Sequence, residues 1–169
     1  MPRETVMAGA GSVIKVRRAV EDDIPQMLEL AEERRRLYET YQPAFWQPSP
    51  DARSAQRAFF NRLISDARNA IVLVCEDANG FRGFIIATLL EAPPVYDPGG
   101  RTCMIDDFAV AENDWNDAGR ALLREVRRLA RAAGAVQAVV VCGHLDMVKR
   151  DFLRSEGLSI ATEWFVKEL

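Results

Sequence analysis

The chain has 169 residues, 49% of them hydrophobic, with 22 basic against 25 acidic side chains and a formal net charge of −3. That length suits one domain, and the apolar share is large enough to bury a core, which excludes a disordered chain. The slightly acidic balance speaks against a surface built for nucleic-acid phosphates, and no apolar run approaches the roughly 18 residues of a membrane span.

Residues 1–12 are rich in small side chains, carry no apolar signal-like stretch, and read as a loose arm ahead of a single domain over 13–169. Residues 13–17 alternate as a half-buried strand does. Ile24, Met27, Leu28 and Ala31 then recur at helical spacing behind Asp22 and Asp23, which suit a helix start. The basic triplet Arg34, Arg35 and Arg36 on this helix reads as a solvated face. Residues 42–50 hold three prolines with Phe45 and Trp46 and predict a loop; together with Tyr38 and Tyr41 it is either a substrate wall or a cover for the core. A second helix is expected over 54–67.

Two β-branched runs, 70–76 and 81–90, flank Asn79 and Gly80, a strong hairpin signal. A proline- and glycine-rich connection leads to a strand over 102–110. Ala118, Leu122, Val126, Leu129 and Ala133 follow at spacings of three and four, the pattern of an amphipathic helix over 117–133. A buried-type strand over 135–142, a short helix over 146–155 and a last strand over 159–166 complete the order βααβββαβαβ. Hairpin-linked strands followed by helix-linked ones predict a mixed α/β sheet, mostly antiparallel at first, with flanking helices. Cys75, Cys103 and Cys142 stand in apolar runs without paired spacing, which predicts free thiols in a reducing, cytoplasmic setting and no zinc site.

Three phrases in this order carry a family resemblance. Arg17-Arg18-Ala19-Val20-Glu21-Asp22-Asp23 is similar to the opening strand-to-helix phrase of the GNAT N-acetyltransferases, Ile105-Asp106-Asp107-Phe108-Ala109-Val110 looks like their central strand, and Gly119-Arg120-Ala121-Leu122-Leu123 looks like the start of their coenzyme-holding helix. The resemblance implies a GNAT-like domain with a splayed parallel strand pair, and acetyl-CoA as co-substrate. It implies that the backbone of Phe108, Ala109 and Val110 binds the pantetheine arm, and that the turn of Asn116, Asp117, Ala118, Gly119 and Arg120 receives the pyrophosphate. A helix N-terminus presents unpaired N–H groups and partial positive charge to such an anion.

The chain departs from that family at two places. The family turn reads Q/R-x-x-G-x-G/A, whereas here it is Asp114-Trp115-Asn116-Asp117-Ala118-Gly119, keeping only the last glycine. Asp117 then reads either as a helix cap or as a carboxylate facing the phosphates. The family's tyrosine acid falls on Leu153, beside Phe152 and ahead of Gly157-Leu158, and neither side chain can give a proton. Acyl transfer to an amine needs a base and a donor for the thiolate. Asp106 is the candidate base, with Asp107 on the opposite face of a regular strand. His144 is the candidate acid, and Cys142 reads as a buried thiol.

The acceptor implied is an amine of a small molecule or peptide. With one strand's worth of chain after Gly157-Leu158, an open sheet edge makes a homodimer plausible. The rival expectation is a catalytically silent GNAT-like domain that binds a ligand or protein partner.

Overall fold

Hydrophobic periodicity places the first elements. In the computed structural model, which describes residues 13–169, strand β1 (Lys15–Arg18) leads through a 3₁₀ turn at Glu21–Asp23 into helix α1 (Ile24–Tyr41). Ile24, Met27, Leu28, Ala31 and Tyr38 form its buried stripe. A one-turn helix α2 (Pro43–Trp46) interrupts the expected proline loop, and α3 (Ala52–Ser65) buries Phe60 and Leu63. Strands β2 (Ala70–Asp77), β3 (Gly80–Leu90) and β4 (Arg101–Val110) follow, then α4 (Arg120–Ala132), β5 (Ala135–Val140) and α5 (Met147–Ser155). The arm proposed for residues 1–12 lies outside the described residues.

The five strands form one mixed sheet in the order β1-β2-β3-β4-β5, antiparallel except for the parallel β4–β5 pair. Side chains alternate across it. Ile71, Leu73, Cys75, Ile85, Ala87, Cys103 and Ile105 meet Leu122, Leu123 and Val126 of α4 on one face. Val72, Val74, Phe84 and Ile86 meet Ile24, Met27, Leu28 and Phe60 of α1 and α3 on the other. β2 and β3 are covered on both sides, which is why their sequences read as continuous apolar runs.

Register shifts interrupt the ladders at Cys75/Glu76, at Ile86/Ala87 and at Arg101/Thr102, and the second of them breaks the alternation of β4. Ile86 pairs with Asp107 and Ala87 with Ile105, so Asp106 is the extra residue of a β-bulge. Ile105 and Phe108 therefore share the α4 face although three positions apart, and Ala109 packs on the α1 face. The expectation of a regular strand, with Asp107 turned opposite to Asp106, is corrected by this bulge.

Two further expectations are corrected. Residues 159–166 form no strand: the chain after α5 carries no regular element, and Ile160, Trp164 and Phe165 are exposed. Among the described residues their β-like pattern finds no strand partner, and the outer edge of β5 stays unpaired. Arg34 is not part of a solvated face; its guanidinium pairs with Asp107 and also donates to the Phe108 carbonyl at 3.3 Å.

The entry to α1 is fixed by one ion pair. Arg17 grips Asp23 through Nη1–Oδ2 at 2.7 Å and Nη2–Oδ1 at 2.8 Å, and the Val20 N–H donates to the same carboxylate at 2.8 Å. Burial pushes the Asp23 carboxyl up, but these bonds outweigh it and hold the group below its ordinary value. A carboxyl depressed in the folded state lends stability above its unfolded pKa and loses it as pH falls. We therefore expect Asp23→Asn to cost about 2 kcal/mol at neutral pH, less than the loss on breaking a fully buried pair because Arg17 is partly exposed. The gap to the wild type should narrow in urea titrations below about pH 4; a gap independent of pH would contradict the assignment.

Candidate active site

The parallel pair ends early. Pairing of β4 with β5 stops at Ile105 opposite Val140, and the last bond across it runs from the Val141 N–H to the Ile105 carbonyl at 2.9 Å. Beyond that point the strands diverge, and among the described residues no strand pairs with residues 106–110 of β4 on the β5 side. The freed edge is the backbone from which the pantetheine contacts of Phe108, Ala109 and Val110 were expected.

Into this divergence α5 sends a lysine. Asp146 caps the helix, its Oδ1 accepting from the Lys149 N–H at 3.2 Å, and the inward positions are Lys149, Phe152 and Leu153, one face at i, i+3 and i+4. Lys149 is 0% exposed. Its Nζ donates to the Phe108 carbonyl of β4 at 3.0 Å and to the Val141 carbonyl after β5 at 3.2 Å. It also lies 5.4 Å from the Phe108 ring centroid and 5.5 Å from that of Trp115. Burial pushes its pKa down to about 8; Arg34 adds to the shift, while Cys142, Asp146 and Asp107 oppose it.

Around this ammonium stand the other ionisable groups. Asp107 is buried and paired with Arg34. Asp106, on the bulge, reaches solvent and makes no hydrogen bond or ion pair with the described residues. Its carboxyl is held above its ordinary value, first by the surrounding protein and then by the charge of Asp107, with Arg34 pulling the other way. Tyr38 of α1 is buried and donates to Asp146 Oδ2 at 2.9 Å, and its ring lies so close to Gly143 that a Cβ there would sit 3.0 Å away. Burial raises the Cys142 thiol, so it is no ready nucleophile. His144 stands exposed on the turn after β5, where its carbonyl accepts from Arg150 at 2.7 Å.

The helix start is built differently from a glycine-lined anion turn. Trp115–Gly119 form a π-helical turn ahead of α4, and its cap is Asp114, whose Oδ1 accepts from the Asp117 N–H at 3.2 Å. The capping reading of Asp117 is thus corrected: Asp117 and Asn116 are exposed, while Ala118 and Gly119 are buried. Trp115 turns inward against Phe108 (5.0 Å between centroids) and Phe152 (5.4 Å). The retained Gly119 makes room for it, since a Cβ would lie 3.0 Å from the indole. Arg120 is tied across to Glu156, beyond α5, at 2.7 Å. Trp115, Phe152 and Lys149 fill the space between β4, α4 and α5. Two surface recesses of about 380 and 360 Å³ lie elsewhere, beside Pro93 and Gln137 and beside Gln42 and Glu168. Among the described residues no group of three or more His, Cys, Asp or Glu side chains could hold a metal ion.

The structure therefore brings Asp106, Phe108, Ala109 and Val110 to one strand end and Asn116, Asp117, Ala118, Gly119 and Arg120 to the adjoining helix start. His144 is exposed on a separate turn and shares none of the hydrogen bonds of the Asp107–Arg34–Lys149 group. Lys149 and Arg34 were not among the expected site residues, and Tyr38 was expected only within an aromatic stretch that would be either a substrate wall or a core cover. The available signal for Lys149 was a lone cation on the apolar stripe it shares with Phe152 and Leu153; Arg34 was masked by its two basic neighbours. The aromatic stretch from α1 to α2 stacks on itself, with Tyr38–Trp46 and Phe45–Trp46 centroids 5.1 and 4.8 Å apart, and so covers the end of α1.

No family model matches the chain, and no curated protein does so by sequence. Solved structures do match by shape. A mutant form of the BH1408 protein from Bacillus halodurans superimposes with a TM-score of 0.80 at 15% identity, over 92% of this chain and 99% of that one. A predicted acetyltransferase with acetyl-CoA from Clostridium acetobutylicum gives 0.71 at 16%, over 92% and 96%. Glucosamine-6-phosphate N-acetyltransferase from Arabidopsis thaliana gives 0.65 at 13%, over 92% and 98%. Taken with the mixed sheet, its bulged β4 and the β4–β5 divergence, these likenesses show that the chain carries the GNAT acetyltransferase fold in a divergent form.

Proposed function

We propose that the chain transfers an acyl group, acetyl or similar, from acyl-CoA to an amine of a small molecule or peptide at the β4–β5 divergence. The observation that carries this reading is the β4 edge over residues 106–110, released from pairing beside a solvent-reaching carboxylate with no bound partner. The coenzyme's arm would hydrogen-bond the backbone of Phe108, Ala109 and Val110 along this edge, where the Phe108 carbonyl already accepts from Lys149 and Arg34. Its phosphates would meet the turn of Asn116, Asp117, Ala118, Gly119 and Arg120.

Asp106 takes the proton of the acceptor ammonium, directly or through a water, and its raised pKa makes it a stronger base than an ordinary carboxylate. The amine then attacks the thioester carbon. The likeness to an acetyltransferase solved with acetyl-CoA and to one named for glucosamine-6-phosphate supports this class of chemistry and leaves the acceptor open. A second copy pairing along the free edge of β5 would make the homodimer, a state that sedimentation reads directly.

One observation favours a second reading, a silent domain that binds a ligand or partner: the space beside β4 is filled by Trp115, Phe152 and Lys149. Calorimetric titration with acetyl-CoA separates the two. We expect binding in the micromolar to sub-millimolar range with a rise in melting temperature; no heat and no shift at millimolar ligand would leave only the silent domain.

With an accepted amine, Asp106→Asn should lower turnover about 100-fold while coenzyme affinity stays near that of the wild type. The wild-type rate should fall on the acid side at a pH above that of an ordinary carboxylate. Full activity of Asp106→Asn across neutral pH would remove Asp106 as the base.

Asp117→Gly tests the phosphate contact. Asp117 is exposed and Asp114 supplies the cap, so the change removes a like charge near the phosphates at a stability cost of about 1 kcal/mol for a helical glycine. Acetyl-CoA should bind several-fold tighter at low salt, with the gain shrinking as salt rises. Unchanged affinity would place the phosphates elsewhere.

A further inference from the structure

We propose that Lys149 is the acid of the site: with a CoA thioester between the diverging strands, its ammonium gives up the proton that the departing thiolate takes. This rests on the acyl-CoA reading above and adds to it the donor that neither Leu153 nor Phe152 can supply.

The placement makes the case. The mouth of the divergence is marked by one carbonyl from each strand, Phe108 on β4 and Val141 after β5, and Lys149 Nζ lies within 3.2 Å of both. An ammonium has three N–H bonds; two are used on the carbonyls, and the third has only the faces of Phe108 and Trp115 beside it. A thioester sulfur can take that third position without orphaning either carbonyl. A full charge with 0% exposure is costly to keep in a core, and a hydrophobic side chain of similar volume would fill the same space.

The groups that face Lys149 set how readily it releases a proton. Arg34 of α1 pushes towards the neutral amine together with burial, while Asp107 of β4, Cys142 after β5 and Asp146 of α5 hold the charge in place. The balance leaves it near about 8, where a proton can be lent and regained at neutral pH. In the reaction the acceptor nitrogen bonds to the thioester carbon, and its own proton leaves through Asp106. The C–S bond then breaks with its electron pair on sulfur, sulfur takes the proton from Lys149, and the Lys149 amine is reprotonated from water. The products are an amide and the free CoA thiol.

The test needs no acceptor. Free CoA is the probe, titrated from about pH 5 to 10 in the presence of wild-type chain and of Lys149→Met, with the thiolate followed by difference absorbance and folding checked by thermal melting. With an ammonium beside the sulfur, the bound thiol should ionise at a midpoint at least about one pH unit lower in the wild type than in Lys149→Met. Equal midpoints on two folded, CoA-binding proteins would overturn the proposal while leaving the acyl-CoA reading intact. Failure of wild-type chain to bind CoA at all would overturn that reading first. Should Lys149→Met not fold, the wild type alone decides, because the chain has three lysines, Lys15, Lys149 and Lys167, with separable side-chain NMR signals. The Lys149 midpoint should rise when the CoA thiolate binds, and an unmoved midpoint in the CoA complex would overturn the proposal.

Discussion

A single buried cation organises the end of the sheet at which β4 and β5 part. The Lys149 ammonium joins the carbonyls of Phe108 and Val141 where β4 and β5 part, and the surrounding side chains follow from the need to satisfy it. Desolvating an ammonium is unfavourable unless carbonyl dipoles, ring faces and carboxylates replace water. The chain supplies all three: two carbonyls, the Phe108 and Trp115 rings, and Asp107 with Asp146 nearby. Asp107 is in turn held by Arg34, and Asp146 by the Tyr38 hydroxyl, so α1 is fastened to β4 and to the start of α5.

The bulge at Asp106 has a local role within this arrangement. It lets Phe108 return to the α4 face, where its ring meets Trp115, while its carbonyl reaches Lys149. It also leaves Asp106 exposed and outside the ion-pair network, while its neighbour Asp107 is buried and held by Arg34. Closure of the cleft by Trp115, Phe152 and Lys149 has a direct consequence for any ligand that enters: it must exchange contacts with these residues, so affinity is reduced by the cost of the rearrangement.

Much of the fold was legible because local signals agreed with one another. The Asn79-Gly80 hairpin, the α1 stripe and the spacing of Ala118, Leu122 and Val126 into α4 each match period with burial. The last strand was misread because residues 159–166 have strand-like side chains but pair with no strand among the described residues, and a strand is defined by its partner. In the candidate site, Asp106 and the β4 backbone were named from the family resemblance of residues 105–110, whereas the bulge was not foreseen, since an inserted residue leaves no mark in an unaligned sequence. Asp117 was weighed as a cap because it sits where the α-helical pattern begins. The π-helical turn moves the true start back, to Asp114. Lys149 and Arg34 escaped notice for a common reason: charged residues on helices usually face water, and only the tertiary packing of α5 and α1 over the strand ends turns these two inward.

The central claim is that acyl-CoA occupies the β4–β5 divergence of this chain. Residue-resolved amide hydrogen exchange with and without acetyl-CoA tests it most directly. The account predicts slowed exchange over residues 106–110, 115–120 and 147–153, where the free β4 edge, the helix start and α5 would meet the ligand. Protection confined to other segments, with those three unchanged in a complex that forms, would contradict it.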